Sequence, residues 1–349
     1  MKKIKWVALI LAMILTAGCG KAQSARMDKE VFVLDTIVRF SVWTDDRIDQ
    51  DRATQLLVEA ERLCFFYEKM LSKSIEESDI YRLNHAGGEK VVVRPQTAFL
   101  IEEAIKYSEW TDGYFDITIL PVKDLWDFKA QDPTIPSQDQ IDAAVKKVGY
   151  KNIMLGEKTE YKDNEGKVQP GRAISLKNGA MLDLGGIAKG YIADEIAAML
   201  QEQGVTKGII NLGGNVLMIG AKEEGKAWRV GIQDPKGSPN DYIGTVDIIG
   251  ESVVTSGVYQ RFFEKDGKIY HHLLDPFVGR PTDNGLSSVT ILSPSSIAGD
   301  ALSTGCFVLG PEKGLALAEK LEDVEAVFIK SDGEIIETSG MGDHGFTVE

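Results

Sequence analysis

Two adjacent glycines, Gly185-Gly186, lie between a short apolar run that ends at Leu182 and an amphipathic stretch that begins near Lys189. We expect a strand to turn through these glycines into a helix, because the apolar residues that follow recur every three or four positions. Unpaired N–H groups at such a helix start, together with Lys189, could hold a phosphate group. The alternative is a glycine-rich turn without a ligand. Gly190 follows the lysine where a Walker loop has Ser or Thr, and this stretch contains no Gly-x-Gly-x-x-Gly fingerprint.

A carboxylate and a hydroxyl, Asp300 and Thr304, are four residues apart in a segment predicted to be helical. On a helix the two side chains lie on one face, one turn apart. Two hard oxygen ligands that leave room for substrate oxygens suit magnesium. The alternative is an aspartate stabilised by the helix dipole, with a threonine whose hydroxyl bonds back to a backbone carbonyl.

Two of the four histidines, His271 and His272, are adjacent on a predicted strand. Adjacent strand residues point to opposite sides, so the pair is not expected to bind one metal ion. One of them could accept a proton in a cleft, because the pKa of histidine lies near neutrality. A pair of surface or packed histidines is the alternative.

The composition excludes some classes of function. The chain has 349 residues, of which 43% are hydrophobic and 26% are charged, and this length permits one large domain or two lobes. The net charge is −14, and no basic block follows the first few residues, so nucleic-acid binding is not expected. A diphosphate ligand would need a local cation, which makes a bound metal plausible.

The N-terminus has the pattern of an export signal. Three lysines within the first five residues precede an apolar run at 6–15 and the sequence Thr-Ala-Gly-Cys at 16–19. We predict a lipoprotein signal peptide at 1–18, acylation of Cys19 and a lipid-anchored tether at 19–30, which places the protein on the extracytoplasmic face of the cell membrane. A cleaved soluble protein and an uncleaved anchor are the alternatives. The other cysteines, Cys64 and Cys306, are predicted to be buried thiols rather than a disulfide.

The predicted elements favour the α+β class, as a single large domain at 31–349 with mixed or antiparallel sheets flanked by helices. Helices are concentrated early in the chain and strands late, which argues against a doubly wound parallel sheet. Strands are predicted at 31–42, 91–93, 208–220, 228–232, 242–249, 252–255, 324–329 and 334–338, with a hairpin at 261–274. Helices are predicted at 51–71, after Ser78, from Pro95 to near Gly113, from Ser137 to near Val148, after Lys189, at 295–308 and at 310–321. The segment 111–121 is interpreted as a buried connector.

Seven motifs occur together in one order along the chain. They are Ser78-Asp-Ile-Tyr-Arg-Leu-Asn84, Gly113-Tyr-Phe-Asp116-Ile-Thr with Leu125-Trp126, Asp183-Leu-Gly-Gly-Ile-Ala-Lys189-Gly, Asn211-Leu-Gly-Gly-Asn215, Thr255-Ser-Gly257, His271-His272-Leu-Leu-Asp275-Pro and Asp300-Ala-Leu-Ser-Thr304. In these motifs the chain resembles the ApbE family of FAD:protein FMN transferases, over about residues 31–338. The family's fold is the α+β arrangement given above.

The resemblance implies a role for each matching residue. FAD would contact Leu34, Asp183, Lys189 and Leu274, with Tyr114, Phe115 and Asp116 lining its pocket. Magnesium would bind the Asp300 carboxylate, the Thr304 hydroxyl and the backbone carbonyl of Gly186, and His272 would be the reactive histidine. Two positions depart from the family pattern: Leu34 stands where Met is frequent, and Ser74 where an aromatic residue commonly stacks near the flavin ring.

The implied reaction is the magnesium-dependent transfer of FMN from FAD to a Thr or Ser hydroxyl of a partner protein, with release of AMP. His272 is the candidate base, and a covalent role for it is the alternative. The implied partners are exported domains of ion-pumping redox complexes or other extracytoplasmic flavoproteins. Two other functions stay open: an FAD diphosphatase that gives FMN and AMP, and a flavin-binding lipoprotein without turnover.

Overall fold

The computed structural model describes residues 24–128, 130, 132–162, 166–238 and 240–348. The predicted signal peptide and the lipidation site at Cys19 lie outside the described residues. The helices are α1 (Gln50–Leu71), α2 (Asp79–His85), α3 (Pro95–Trp110), α4 (Leu120–Trp126), α5 (Gln138–Val145), α6 (Ala188–Glu202), α7 (Ser296–Leu309) and α8 (Pro311–Ala318). The strands are β1 (Arg26–Val33), β2 (Thr36–Trp43), β3 (Val91–Val93), β4 (Ile153–Lys162), β5 (Val168–Leu176), β6 (Gly208–Leu212), β7 (Asn215–Ile219), β8 (Trp228–Gln233), β9 (Tyr242–Ile248), β10 (Ser252–Gly257), β11 (Phe262–Lys265), β12 (Lys268–His271), β13 (Leu274–Asp275), β14 (Arg280–Pro281), β15 (Leu286–Ser293), β16 (Glu325–Lys330), β17 (Ile335–Glu337) and β18 (Thr347–Val348).

The main sheet has the strand order β1-β2-β6-β7-β10-β15-β16-β17, and each neighbouring pair is antiparallel. Its two faces bury different cores, as the alternation along β16 shows. Phe328 packs into the core formed with α1, α6 and α7, whereas Val327 and Ile329 pack toward the small sheet β18-β9-β8. This arrangement of antiparallel sheets and helices confirms the predicted α+β class.

The N-terminal strand prediction is wrong in two respects. Residues 31–42 form part of the hairpin β1–β2, whose turn is Leu34-Asp35, with φ values of 56° and 61°. The sequence has no Asn-Gly or Asp-Gly at this turn, which is why a single strand was expected. Residues 26–30 were predicted to belong to the tether, but they form the first part of β1 and pair with β2. Their polar character is compatible with a strand at the sheet edge, which can keep polar side chains on its solvent-facing side.

A second tight turn lies beside the first. The predicted strand at 208–220 is instead two strands, joined by a two-residue turn at Gly213-Gly214 with φ values of 66° and 96°. A Cβ on Gly213 would lie 2.3 Å from the hydroxyl oxygen of Thr36, so a side chain there would collide with the start of β2. The two turns therefore meet at one end of the main sheet.

Several local predictions are confirmed. Helices α2 and α5 begin after Ser78 and Ser137, as predicted. Ser78 caps α2 by accepting a hydrogen bond from the Tyr81 N–H, and Ser137 forms a capping box with Gln140 at the start of α5. The connector at 111–121 is largely buried, and the hairpin predicted at 261–274 is present as β11–β12. Both Cys64 and Cys306 are buried free thiols. No helix among the described residues is long and apolar enough to cross a membrane.

Two predictions about strands need correction. The apolar run before the glycine turn is not a strand, since only Met181 makes an isolated bridge, to Ile119. Conversely, β15 was not predicted, although it lies in the interior of the main sheet. Its serines and threonines interrupt the apolar run that usually marks a buried strand, and all eight of its residues are buried.

Helices α6 and α7 cross in close contact at Gly190. A Cβ at this position would lie 2.2 Å from the carbonyl oxygen of Ser296. We expect Gly190→Ala to lower the free energy of unfolding by about 1–3 kcal/mol, since the added atom has no room. In a helix with free space around the glycine, the same substitution would raise the free energy of unfolding. The direction of the change therefore shows whether the two helices are in close contact.

Chemical denaturation measures this effect. The matched control is Gly342→Ala, because nothing described lies within 4 Å of a Cβ added there. An unchanged or increased free energy of unfolding for Gly190→Ala would contradict the close crossing of the two helices.

Candidate active site

A cleft of about 1310 Å³ opens at the end of the main sheet where the two tight turns meet. The loop before α4, the glycine turn before α6, the first half of α7 and the residues after β12 form its walls. Every site residue implied by the resemblance within the described part of the chain lines this cleft: Leu34, Tyr114, Phe115, Asp116, Asp183, Gly186, Lys189, His272, Leu274, Asp300 and Thr304. Residues that are up to 270 positions apart in the sequence are thus brought together.

The glycine turn is held in place before the helix begins. Asn84 clamps Leu182 from both sides, since its side-chain amide donates to the Leu182 carbonyl at 2.9 Å and its oxygen accepts from the Leu182 N–H at 2.6 Å. The N–H of Asp183 donates to the carbonyl of Ile117 at 2.8 Å. The turn therefore keeps its shape without the predicted strand.

Asp183 is buried beside two lysines. Lys123 donates to both carboxylate oxygens at 2.8 and 2.9 Å, and the Lys73 ammonium lies 3.5 Å away. Burial alone would raise the pKa of Asp183, but the positive charge and hydrogen bonds of Lys123, with help from Lys73 and the Gly185 N–H, lower it to about 2. Asp183 is therefore ionised, and its charge is neutralised by lysines within the cleft.

Asp300 binds the first turn of α6. One carboxylate oxygen accepts from the Gly190 N–H at 3.0 Å, and the other lies 3.4 Å from the Lys189 ammonium. That ammonium also lies 3.3 Å from the carbonyl oxygen of Gly185. The residue before α6, Ile187, supplies no side-chain cap, so Asp300 satisfies an N–H group that would otherwise be unpaired.

The donor set fits a magnesium ion. Asp300 is only 4% exposed, Thr304 follows it one turn later on α7, and a Cβ on Gly186 would lie 3.5 Å from the Thr304 hydroxyl oxygen. A further hydroxyl, on Ser256, lies 3.3 Å from that of Thr304. The described residues contain no cluster of three or more His, Cys, Asp or Glu side chains that could hold a metal ion. An ion here would therefore need backbone, hydroxyl and substrate oxygens, which is the mixed oxygen set that magnesium accepts.

The two histidines point to opposite sides, as predicted. His271 is buried, and its Nε2 lies 3.0 Å from the carbonyl oxygen of Thr282. His272 lines the cleft, and its Nδ1 lies 3.2 Å from the carbonyl oxygen of Arg261. Because a carbonyl oxygen can only accept, Nδ1 of His272 carries the proton and Nε2 is the nitrogen that can accept another.

Burial, and after it the positive charge of Lys123, lower the pKa of His272 to about 3, with smaller contributions from Arg261 and His271 and a partly opposing one from the hydrogen bond to the Arg261 carbonyl. The imidazole is therefore neutral at physiological pH. A bound diphosphate would add negative charge and raise this pKa toward the range in which a general base works well.

Asp116 shapes its loop more than it faces a ligand. Its carboxylate accepts from the N–H and hydroxyl of Thr118 at 2.7 and 2.6 Å, and from the N–H of Tyr150 at 2.6 Å. Burial raises its pKa, and these hydrogen bonds partly offset that effect. Phe115, the preceding residue of this loop, packs against Gly186, where an added Cβ would lie 3.3 Å from the phenyl ring.

The two departures from the family pattern both line the cleft. The N–H of Leu34 donates to Glu68 of α1 at 2.7 Å, which fixes the β1–β2 turn over the cleft. Ser74 lies just after the end of α1. The turn is thus ordered by its backbone, whichever side chain stands at Leu34.

Sequence reasoning missed Lys73, Lys123 and Ser256. The contact between Lys123 and Asp183 spans 60 positions, and no spacing rule links the two residues. The only available signal was a lysine, next to Asp124, within the largely apolar helix α4. Ser256 was quoted within a motif but received no role.

Lys123 should control the protonation of the cleft histidine. We expect Lys123→Met to raise the pKa of His272 above about 3, though not to the ordinary value of 6.5, because burial remains. An NMR titration of the histidine rings can follow this change, since the chain has only 4 histidines. Lys73→Met is the matched control, because it removes the other lysine beside Asp183. An unchanged pKa for His272 in Lys123→Met would contradict the electrostatic link.

The comparisons with known proteins agree on one family. The ApbE family model matches residues 34–328. An FAD:protein FMN transferase of Klebsiella pneumoniae (strain 342) is 39% identical over 275 residues, which cover 78% of this chain and 81% of that protein. Another, of Treponema pallidum (strain Nichols), is 32% identical over 352 residues, which cover 97% of this chain and 95% of that protein.

Solved structures show the same fold. The ApbE protein of Thermotoga maritima MSB8 has a TM-score of 0.81 at 30% sequence identity, covering 92% of this chain and 99% of that one. The flavin transferase ApbE of Vibrio cholerae has a TM-score of 0.78 at 26% identity, with the same coverage of 92% and 99%.

Proposed function

Because the chain belongs to the ApbE family, we propose that it is an FAD:protein FMN transferase, a role that the relatives' names carry and the cleft supports. The observation that carries this proposal is the convergence of the glycine turn, the Asp300–Thr304 face of α7 and His272 in one cleft. A flavin-binding protein without turnover has no need of a carboxylate, a hydroxyl and a lysine around a diphosphate.

The proposed acceptor is a Ser or Thr hydroxyl of a partner protein. Its oxygen attacks the FMN phosphorus of FAD, a new P–O bond forms, and the P–O bond to the bridging oxygen breaks. AMP leaves with that oxygen, and the proton of the hydroxyl passes to Nε2 of His272. The Arg261 carbonyl holds the imidazole in the tautomer that this step requires.

The residues around the diphosphate supply electrostatic stabilisation. Lys189 lies at the start of α6, where backbone N–H groups and the helix dipole favour negative charge. The positive charges of Lys123 and Lys73 keep the Asp183 carboxylate ionised and neutralise its negative charge. Such preorganised groups act most strongly where charge develops during the reaction.

A magnesium ion is part of this proposal. The Asp300 carboxylate, the Thr304 hydroxyl and the Gly186 carbonyl would hold it, for the reasons of donor chemistry given above. When bound, the ion would neutralise charge on the diphosphate and orient the phosphorus for in-line attack. The buried Asp300 carboxylate supplies negative charge at this point, and the Lys189 ammonium already lies 3.4 Å from it.

The N-terminal sequence supports attachment to a membrane. We propose that Cys19 is acylated and that the domain works at the extracytoplasmic face of the cell membrane, on partner domains exposed there. The lipobox-like sequence at 16–19 is the basis for this proposal. Metabolic labelling with a radioactive fatty acid tests it, and loss of the label in Cys19→Ala is the expected result.

A transfer assay tests the proposed activity. Purified protein is incubated with FAD, magnesium and an acceptor protein, and the products are examined for AMP and for acceptor-bound flavin fluorescence on a denaturing gel. We expect both products, and neither after magnesium is removed by chelation. AMP without labelled acceptor would indicate an FAD diphosphatase, and FAD recovered intact would indicate a flavin carrier.

A further inference from the structure

Helices α6 and α7 cap each other through carboxylates. Asp300 of α7 accepts from the N–H of Gly190 in the first turn of α6 at 3.0 Å. In return, Asp194 of α6 accepts from the N–H groups of Ser296 and Ile297 in the first turn of α7 at 2.8 and 2.9 Å. The two helices meet at Gly190 of α6 and Ser296 of α7, and each carboxylate lies four residues after the meeting point on its own helix. The two helix starts therefore depend on each other.

Neither helix has a local side-chain cap to replace these contacts. Ile187 and Ser295, the residues before α6 and α7, make no side-chain cap hydrogen bond. The Ser295 hydroxyl instead donates to Asp194 at 3.0 Å, so Asp194 receives three hydrogen bonds from the start of α7. Loss of its carboxylate would leave the first turn of α7 without these partners.

The first turn of α7 sets the position of the proposed metal ligands. Asp300 and Thr304 follow Ser296 by one and two turns, about 6 and 12 Å along the helix axis. Close packing against Gly190 leaves Ser296 no room to move toward α6. The hydrogen bonds to Asp194, together with the one that the Ser296 hydroxyl donates to Asn215 at 2.6 Å, therefore set how the turn is rotated. A rotation of this turn moves both oxygen ligands relative to Gly186.

We propose that Asp194 is a positioning residue for the magnesium site, an inference that rests on the function proposed above. Asp194 is not among the described residues that line the cleft, and its hydrogen bonds go to the start of α7. It fixes the angle at which the Asp300 carboxylate and the Thr304 hydroxyl face the glycine turn. Groups hydrogen-bonded directly to metal ligands typically contribute a factor of about 10 to 100 in metal affinity, and Asp194 acts on its two ligands through the backbone of α7.

Manganese binding provides a readout that does not depend on catalysis. Mn²⁺ prefers the same oxygen ligands as magnesium, and its free concentration can be followed by electron paramagnetic resonance in a titration of the full protein with FAD present. We expect Asp194→Ala to raise the Mn²⁺ concentration for half-saturation about 10- to 100-fold. FAD binding in the presence of a chelator should remain that of the unsubstituted protein.

Two further variants separate positioning from stability. Asp49 is the N-cap of α1 and accepts from the Arg52 N–H at 2.7 Å, so Asp49→Ala removes a carboxylate cap far from the cleft. It should lower the melting temperature while leaving the Mn²⁺ midpoint unchanged. Asp194→Asn keeps one acceptor oxygen and should give an intermediate midpoint, which also provides a folded variant if Asp194→Ala proves too unstable.

The outcomes are distinct. The positioning role would be overturned if both Asp194 variants bound Mn²⁺ with the midpoint of the unsubstituted protein while their melting temperature fell, as in Asp49→Ala. This result would leave the proposed function intact. Absence of saturable Mn²⁺ binding by the unsubstituted protein would instead overturn the metal site itself, and the role of Asp194 with it.

Discussion

Asp300→Ala is expected to lower the rate of FMN transfer by about 10³-fold or more at saturating FAD and magnesium. A metal ion on a transferring phosphoryl group contributes several kcal/mol to the transition state, and about 4 kcal/mol corresponds to this factor. The structure gives Asp300 a second task, because one of its oxygens accepts from the Gly190 N–H at 3.0 Å. The alanine variant therefore removes a proposed metal ligand and a helix cap together.

Asp300→Asn separates the two tasks. Its amide oxygen can still accept from Gly190, but the side chain has no negative charge for a metal ion. We expect this variant to keep its melting temperature and to lose most of the activity. Full activity of Asp300→Ala with magnesium present would refute the metal assignment, and full activity of Asp300→Asn would show that the negative charge of Asp300 is not required.

His272→Ala is expected to lower kcat by about 10²- to 10⁴-fold, the usual contribution of a general base. The dissociation constant for FAD should change by no more than about threefold, since an interaction made only in the transition state affects kcat and not ground-state binding. Stopped-flow transfer assays and flavin fluorescence titrations measure the two quantities.

The neighbouring histidine is the matched control. His271 is buried against the Thr282 carbonyl, so His271→Ala should lower the melting temperature and leave kcat of the folded protein nearly unchanged. Equal losses of transfer and FAD binding in His272→Ala would assign that histidine to binding instead of proton transfer.

The sequence predicted the residues that line the cleft better than the backbone elements that hold them there. The segments that carry Asp183, His272 and Asp300 are short and locally distinctive, so their residue types indicated phosphate, proton and metal chemistry before any contact was known. The helical spacing of Asp300 and Thr304 and the opposite directions of the two histidines followed from element geometry alone. Bringing the segments into one cleft required the resemblance.

Two of the errors have a common physical cause, since in each a residue from a distant part of the chain holds the segment in place. The β1–β2 turn adopts left-handed backbone at Leu34 and Asp35, and Glu68 of α1 binds its N–H from 34 positions away. The run before the glycine turn is held by Asn84 across 98 positions instead of by strand pairing. Local propensity contains no information about such partners.

The same limit applies to the charges in the cleft. Lys123 appeared in the sequence only as one lysine in an apolar segment, yet it neutralises Asp183 and lowers the pKa of His272. Asp194 appeared as an ordinary helix residue, yet it caps a helix that begins 102 positions later. Such roles become visible only when the packing of α6 against α7 is known.

The most direct test is a crystal structure with FAD and Mn²⁺, in which anomalous scattering locates the metal. We predict one anomalous peak among the Asp300 carboxylate, the Thr304 hydroxyl and the Gly186 carbonyl, with oxygens of the FAD diphosphate bound to the same ion. A peak at another place, or a diphosphate bound away from the glycine turn, would contradict this prediction.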